Sequence, residues 1–430
     1  MAMVVKNNMS AISTLNTLNK NSSALSKSLQ KVSSGMKING AADDASGYAI
    51  SERMRVQIRG LDQANQNTQN GSSMMKVAEG AVSSTVDILK TLKEKVINAA
   101  NDTNTDADRQ TIQKELDQSI DQINDNANVT YNGKYLVDGS HNSFVSATTT
   151  SMTNQSLNTG SSFASTFTTL TDRNNNSLNI QSSDTITLSY VKEGKTHTVT
   201  VTGASSLNDI IAAASTDLAT GNASKVIGKD VAGDTVYTAD GHSALTLTAT
   251  GTGVEKQISG ITFSVTDTKG NVKKSANALL DNFSESIRAQ NKSDDNSINL
   301  QVGTKSNQAI KVGLTDMRAE ALGLQAKDGK TLNISTKEYA NAAINVLDNA
   351  VQKALDQQTT IGAVQSRLEY TSSNLTTASE NVQASESTIR DADMAKEMTN
   401  YTKNNVLMQA AQAMLSQANQ SSSSVLSLLQ

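Results

Sequence analysis

The sequence predicts a mainly α-helical protein in which a small α+β module is inserted between two helical arms. Three observations carry this expectation. The 430 residues contain no proline, cysteine or tryptophan. At ordinary usage about 20 prolines would be expected, and without them no ring clashes with a preceding turn or deletes a helix hydrogen bond, so long helices can run unbroken. Leu347, Ala354, Ile361, Leu368, Leu375, Val382 and Ile389 recur every seven residues, the mark of a coiled-coil seam. Finally, every phenylalanine and every histidine lies between positions 141 and 283, so the composition changes where the arms give way to the centre.

Each element follows from its own pattern. Ile12, Leu15, Leu18, Leu25, Leu29, Val32 and Met36 form a stripe at helical spacing that ends near Gly35 and Asn39-Gly40. A second helix is expected from about Ala45 to Ala100, with Leu61, Val82, Leu89, Leu92 and Val96 among its apolar positions. A third carries Ile112, Leu116, Ile120 and Ile123 and stops near Tyr131-Asn132-Gly133-Lys134, where Asn-Gly signals a turn. In the centre, Thr185–Tyr190 and Thr198–Thr202 alternate polar and apolar residues across Lys192-Glu193-Gly194-Lys195 and read as a hairpin. A helix from Leu207 to Leu218, capped by Ser206, and strands at Ala244–Thr248 and Ile261–Val265 complete one expected strand–strand–helix–strand–strand unit. A last strand pair, Ile298–Val302 and Ala309–Val312, precedes the C-terminal helices.

The seam helix should span about 50 residues, roughly 75 Å. Its companion line, Ala350, Gln357, Val364, Thr371, Ala378 and Ser385, is half polar, so the helix needs a partner, which the N-terminal arm offers. Val406, Leu407, Ala410, Ala411, Met414, Leu415 and Ala418 then form an apolar face. Gln420 to Ser424 should interrupt it before the last leucines. Leucines exposed near a terminus require a cover.

Chemistry is poorly represented. Zero cysteine excludes disulfides and thiolate sites. The net charge of −4 argues against a general nucleic-acid binder, and no apolar run approaches the ~20 residues of a membrane span. The start, Met1 to Asn8, lacks the pattern of a cleaved secretory signal. Gly194-Lys195-Thr196 has Ser189 where a phosphate loop needs glycine. Asp43-Asp44 and Asp391/Asp393 read as helix caps or turns, and the histidines lack metal-ligand spacing. No catalytic residue, cofactor or metal is expected, and the chain reads as a structural protein rather than an enzyme. Its 13 aromatics, 3% of the chain, are too few for one large core.

Two long segments carry a resemblance. Ser33-Ser34-Gly35-Met36-Lys37-Ile38-Asn39-Gly40-Ala41-Ala42-Asp43-Asp44-Ala45-Ser46-Gly47-Tyr48-Ala49-Ile50-Ser51-Glu52, continued by Gln57–Leu61 and Ala78–Ala81, resembles the N-terminal signature of the bacterial flagellins. Ile389-Arg390-Asp391-Ala392-Asp393-Met394-Ala395-Lys396-Glu397-Met398 and Thr402–Leu415 resemble their C-terminal signature. The resemblance covers roughly 1–140 and 296–430. It implies a subunit that polymerises into the flagellar filament. The chain ends would pair as inner helices (1–42 and 393–430), a helical bundle with a β-hairpin would follow (43–140 and 296–392), and the module at 141–295 would face outward. Leu15, Leu18, Leu25, Leu29, Val32, Val406, Leu407, Met414, Leu415, Leu426, Leu428 and Leu429 are then expected to pack between subunits, with the chain ends folding only on assembly.

The resemblance further implies export as an unfolded chain through the flagellar type III channel, an export chaperone, and contact with cap and junction proteins. It also implies recognition by Toll-like receptor 5 through Lys90, Thr91, Lys93, Glu94 and Lys95. Here Thr91 stands where the family carries arginine and Lys95 where it carries an apolar residue. The usual Gln-Pro-x-Gly before the last leucines is replaced by Ser421 to Ser424. Two alternatives stay open at this stage: a hook–filament junction protein, and a filament protein whose central module is an adhesin, with Thr148-Thr149-Thr150-Ser151 offered as a glycan-bearing surface.

Overall fold

The computed structural model describes residues 8–428, residue 215 excepted, and their side chains save those of 220, 222 and 422–428. Along the chain lie α1 (Met9–Ser34), α2 (Ala45–Ala99), α3 (Asp106–Ala127), β1 (Thr130–Tyr131), β2 (Lys134–Tyr135), β3 (Ser151–Asn154), β4 (Thr185–Lys192), β5 (Lys195–Thr202), α4 (Leu207–Ala213), β6 (Leu218–Ser224), β7 (Val226–Lys229), β8 (Thr235–Tyr237), β9 (Ala244–Ala249), β10 (Ile258–Thr266), α5 (Lys274–Leu280), β11 (Phe283–Ile287), β12 (Ile298–Gln301), β13 (Ala309–Val312), α6 (Ala319–Leu322), α7 (Lys337–Arg390) and α8 (Met394–Leu428). The expected class holds: helical arms flank a β-rich centre. α2 and α7 are 55 and 54 residues long, as a proline-free chain permits.

The chain divides into a terminal unit (residues up to 67, 302–308 and from 370) and a central unit (68–301 and 309–369). In the terminal unit, α1 begins at Asn8, whose side chain accepts the Ala11 N–H at 3.0 Å, and ends at Gly35 in the left-handed conformation. The early part of α2 runs against the late part of α7, and most of the stitching is polar. Arg55 meets Glu386 at 3.2 Å, Ser379 donates to Asp62 at 3.0 Å, and Ser372 donates to Asn65 at 2.7 Å. A small apolar cluster of Leu61, Ala64 and Leu375, flanked by Ala378 and Val382, completes it.

The central unit holds the larger core. Met75, Ala78, Val82, Leu89 and Val96 of α2, Leu116, Ile120 and Ile123 of α3, and Leu347, Ala354, Ile361 and Leu368 of α7 are all buried. The seam read from the sequence is therefore solvent-excluded from Leu347 to Leu375, and Val382 and Ile389 are half-buried. The β1–β2 hairpin turns on Asn132-Gly133, both at positive φ, as Asn-Gly foretold. β4 and β5 form the expected hairpin through Glu193-Gly194.

Three sequence expectations need correction. α4 stops at Ala213 rather than Leu218, because Leu218 starts β6, which pairs with β9. Cross-strand pairing here overrides local helical propensity. The expected strand–strand–helix–strand–strand unit is spread over two sheets. β4, β5 and β10 form a three-stranded sheet, whereas β9 joins a four-stranded sheet in the order β11-β3-β9-β6. β3, which the sequence reading passed over, lies inside that sheet. Ser151 in β3 and Thr148 and Thr150 just before it are buried, with Thr148 donating to the Arg288 carbonyl at 2.6 Å and Thr150 accepting the Ile258 N–H at 3.2 Å, and so they are no glycan-bearing surface. Lastly, the α8 backbone continues through Gln420–Ser424 without interruption, since serine and glutamine are tolerated helix residues and no glycine or proline intervenes.

β10 is fastened to α7 by Asn345, which donates to the Ile261 carbonyl at 2.9 Å, and by Asn349, which donates to the Ser259 carbonyl at 2.8 Å. Gly260 permits this approach, since a Cβ there would stand 2.9 Å from a Val346 methyl. Half-buried Asp281 sits beside this contact, accepting the Phe263 N–H at 3.2 Å and an Asn345 N–H at 3.3 Å. Burial pushes its carboxyl up to about 6, against the pull of both hydrogen bonds. A folded pKa above the unfolded value means stability is fullest below the unfolded pKa and falls as pH rises through about 6. Asp281→Asn keeps the acceptor without the charge. In urea titrations it should match the natural protein near pH 4 and exceed it by about 2 kcal/mol at pH 7.

Candidate assembly surface

α1 and α8 run antiparallel in the terminal unit, tied by three asparagines. Asn8 donates to the Ala418 carbonyl at 3.2 Å, Asn21 to the Leu407 carbonyl at 3.2 Å, and Asn404 to the Ser28 hydroxyl at 3.1 Å. Covered positions on α1 follow the line Ala11, Thr14, Leu18, Asn21, Leu25, Ser28 and Val32. On α8 the line is Glu397, Tyr401, Asn404, Met408, Ala411, Leu415 and Ala418. Both alternate steps of three and four, so each helix presents a seven-residue seam to the other. The seam is built largely of small and polar side chains, and only Ser28 and Ala411 in it are fully buried.

The residues expected to pack between subunits fall into two groups. Leu18, Leu25, Val32 and Leu415 lie on the seam within the chain, half-buried. Leu15, Leu29, Val406, Leu407 and Met414 lie off it, with Leu29 52%, Val406 58% and Met414 62% exposed. Ile12 and Met9 are also exposed. The sequence stripe thus merged two rows, one covered by the partner helix and one open. Leu429 lies outside the described residues, as do the side chains of Leu426 and Leu428.

Arg390, quoted in the C-terminal signature without a role, closes the junction of α7 and α8. Its side chain is 7% exposed and donates to Glu52 at 2.6 Å and to the Ser51 hydroxyl at 3.3 Å, with its guanidinium 5.3 Å from the centre of the Tyr48 ring. The Arg390 hydrogen bond holds Glu52 below the usual carboxylate range. The main chain joins in: Lys37 N–H donates to the Arg390 carbonyl at 2.7 Å and Ala392 N–H to the Gly35 carbonyl at 2.9 Å. The linkers α1–α2 and α7–α8 therefore meet as a bridge at Met36 and Asp391. Asp44 and Asp393 act as the caps the sequence suggested. Asp44 accepts the Ser46 and Gly47 N–H groups, and Asp393 those of Ala395 and Lys396. Arg390 escaped sequence reading because its partners stand more than 300 positions away. The one available signal was a lone arginine where the apolar seam ends.

In the central unit, Lys90 pairs with Asp87 at 3.1 Å, Lys95 with Glu115 at 3.0 Å and Lys93 with Asp348, while Thr91 donates to the Asp87 carbonyl at 3.0 Å. Lys90, Thr91 and Glu94 are exposed; Lys93 and Lys95 are half-covered. Among the described residues no group of three or more His, Asp or Glu side chains could hold a metal ion, and no helix is long and apolar enough to cross a membrane.

Comparison with known proteins decides the family. The family model described as the bacterial flagellin N-terminal helical region matches residues 5–142, and that of the C-terminal helical region matches 344–429. A flagellin of Clostridium tyrobutyricum is 36% identical over 97% of this chain and 99% of its own length. The chain belongs to the bacterial flagellins. A flagellin of Bacillus subtilis (strain 168) is 30% identical over 99% of this chain and 100% of its own. Among solved structures, the flagellar junction protein FlgL from Legionella pneumophila is similar at 14% identity and a TM-score of 0.32, over 79% of this chain and 99% of that one. This flagellin is a structural subunit of the flagellar filament, an extracellular part of the flagellum, and serves motility.

Replacing Arg390 by methionine keeps the bulk and removes the charged bonds. Amide exchange at Lys37 and Ala392 should then speed up by about an order of magnitude, the size of one lost charge-assisted hydrogen bond. Exchange in the central unit should not change. Unaltered protection at Lys37 would show that the main-chain bridge holds without the side chain.

Proposed function

We propose that the open rows of α1 and α8 are the surfaces along which flagellin copies pack in the filament. The observation that carries this reading is the exposure of Leu29, Val406 and Met414 on helices whose shared seam is mostly small and polar. A terminal unit with so little buried apolar area gains much by covering those rows with other subunits. Residues 1–42 and 393–430 then form the assembly domain, with Leu426, Leu428 and Leu429 in it. Residues 43–140 and 296–392 form the bundle beneath the surface, and 141–295 the outward module. Leu18, Leu25, Val32 and Leu415 act as the platform that presents the open rows.

Export fits the same chain. Passage of an unfolded thread through the flagellar type III channel suits a protein without cysteine, and an export chaperone would cover the open rows before assembly. Cap and junction proteins would meet the filament through the same helices. Lys90, Thr91 and Glu94 are accessible on α2 as a contact for Toll-like receptor 5, but Lys93 and Lys95 are engaged by Asp348 and Glu115. Thr91 lacks the fork of an arginine. Thr91→Arg with Lys95→Leu should therefore raise the receptor response in reporter cells, and an unchanged response would remove this segment from the receptor contact.

Assembly is tested with Leu29→Gln and Val406→Gln. Each should leave the monomer's thermal unfolding unchanged and raise the critical concentration for filament growth, followed by sedimentation and electron microscopy, about tenfold or more. Exposing one aliphatic side chain costs about 1.5–3 kcal/mol. Normal filaments at the natural critical concentration would overturn the assignment of these rows.

A further inference from the structure

The chain has no cysteine and no tryptophan, so oxidants meet the methionine thioethers with no thiol to intercept them. The fold divides those thioethers by unit. In the central unit Met74, Met75, Met152 and Met317 are all buried, none more than 7% exposed. Among the described residues the exposed methionines are Met9 on α1 and Met394, Met398 and Met414 on α8. Met36, Met54 and Met408 are half-buried, and the Met36 sulfur accepts the Arg390 Nε–H at 3.3 Å. The open thioethers of the described residues thus all lie on the two helices that carry the open rows.

Met414 is the most consequential of them. It is 62% exposed and belongs to the open face with Val406 and Leu407, which are 58% and 41% exposed. An unbranched thioether suits such a face, because it adapts to whatever shape a second copy presents. Its oxidised form does not. Hydrogen peroxide delivers one oxygen to a lone pair on Sδ: the O–O bond breaks, an S–O bond forms and water leaves, so that sulfur is oxidised and the peroxide reduced. The product is a polar, chiral sulfoxide. Helical neighbours three and four residues away include Ala410, Ala411 and Ala418, whose side chains offer the new oxygen no donor. Covered by another copy, that oxygen would be a polar group placed in apolar surroundings.

We propose that Met414 is an oxidant-responsive modification site that governs assembly: its sulfoxide weakens packing between copies, and reduction of the sulfoxide restores it. The proposal rests on the assignment of the open rows to subunit packing. It adds a direction to that reading. The monomer presents the sulfur and the filament covers it, so the oxidant acts on the subunit before assembly and the finished filament is shielded.

The test exposes full-length monomer and assembled filament to hydrogen peroxide, removes the oxidant with catalase, and maps sulfoxide at each methionine by peptide mass spectrometry. In the monomer, Met414 should oxidise at least about tenfold faster than Met75, Met152 and Met317, which react only after local opening. In the filament, Met414 should be slowed by about tenfold or more, since its row is then covered. Oxidised monomer should need a critical concentration about tenfold higher, read by sedimentation. Reductases acting on both sulfoxide epimers, with dithiothreitol, should return it to the untreated value. For Met414→Leu, peroxide should raise the critical concentration over that of the same untreated variant by no more than about two- to threefold.

Normal growth of monomer oxidised at Met414 would overturn the proposal, as would a Met414→Leu variant as sensitive to peroxide as the natural chain, or no recovery on reduction. Met414 shielded in the filament while oxidised monomer grows normally would overturn the proposal alone and leave the packing rows standing. Equal reactivity of Met414 in monomer and filament would remove its row from the packing surface, and the proposal with it.

Discussion

A narrow apolar stripe on a long helix is the constraint from which the rest of this flagellin follows. The seven-residue line on α7 cannot be dry on a lone helix, because a single row of Leu, Ile and Ala covers too little area to offset the ordering of 54 residues. Burial of that line from Leu347 to Leu375 shows the requirement being met by helices brought in from the other end of the chain.

The same logic operates more thinly in the terminal unit. The α1–α8 seam is lined by Ala11, Thr14, Asn21, Ser28, Asn404 and Ala411, side chains that let the helices approach closely but bury little apolar area. Leu18, Leu25, Val32 and Leu415 also stand on it, half-buried, whereas Leu15, Leu29, Val406, Leu407 and Met414 face away. Cross-helix asparagines suit this division, because polar groups at a seam set register at some expense of stability. The junction at Arg390 then carries a disproportionate share of the order there. It joins both linkers through one side chain and two main-chain bonds.

Legibility in the sequence followed the range of the interaction. Helix extents, the Asn132-Gly133 and Glu193-Gly194 turns, and the caps at Asp44 and Asp393 depend on residues within a few positions of each other, and the sequence displayed them. The seven-residue seam was visible because a repeat is local evidence of a distant partner. Sheet membership was not. β9 alternates like β10, and only pairing with β3 and β6 places it in another sheet. The end of α4 was hidden for the same reason, and so was the burial of Thr148, Thr150 and Ser151, whose hydroxyls read as surface until a strand closes over both sides. On the assembly surface, spacing identified the apolar residues of α1. It could not separate the row holding Leu18 and Leu25 from the row holding Leu15 and Leu29, which differ only in where the partner helix lies.

Polar side chains complete the argument from composition. A chain with few aromatics has to specify its fold by other means, and here amide groups do much of that work. Asn345 and Asn349 fasten β10 to α7, and Asn154 donates to the Leu279 carbonyl at 2.8 Å. Each such bond adds modestly to stability, but an unmatched register would leave a buried amide unsatisfied at a larger cost. Apolar rows are tolerant of sliding; buried amides are not. Where α7 must meet β10 at one register only, Asn345 and Asn349 at the contact do what bulky aromatics do in a globular core.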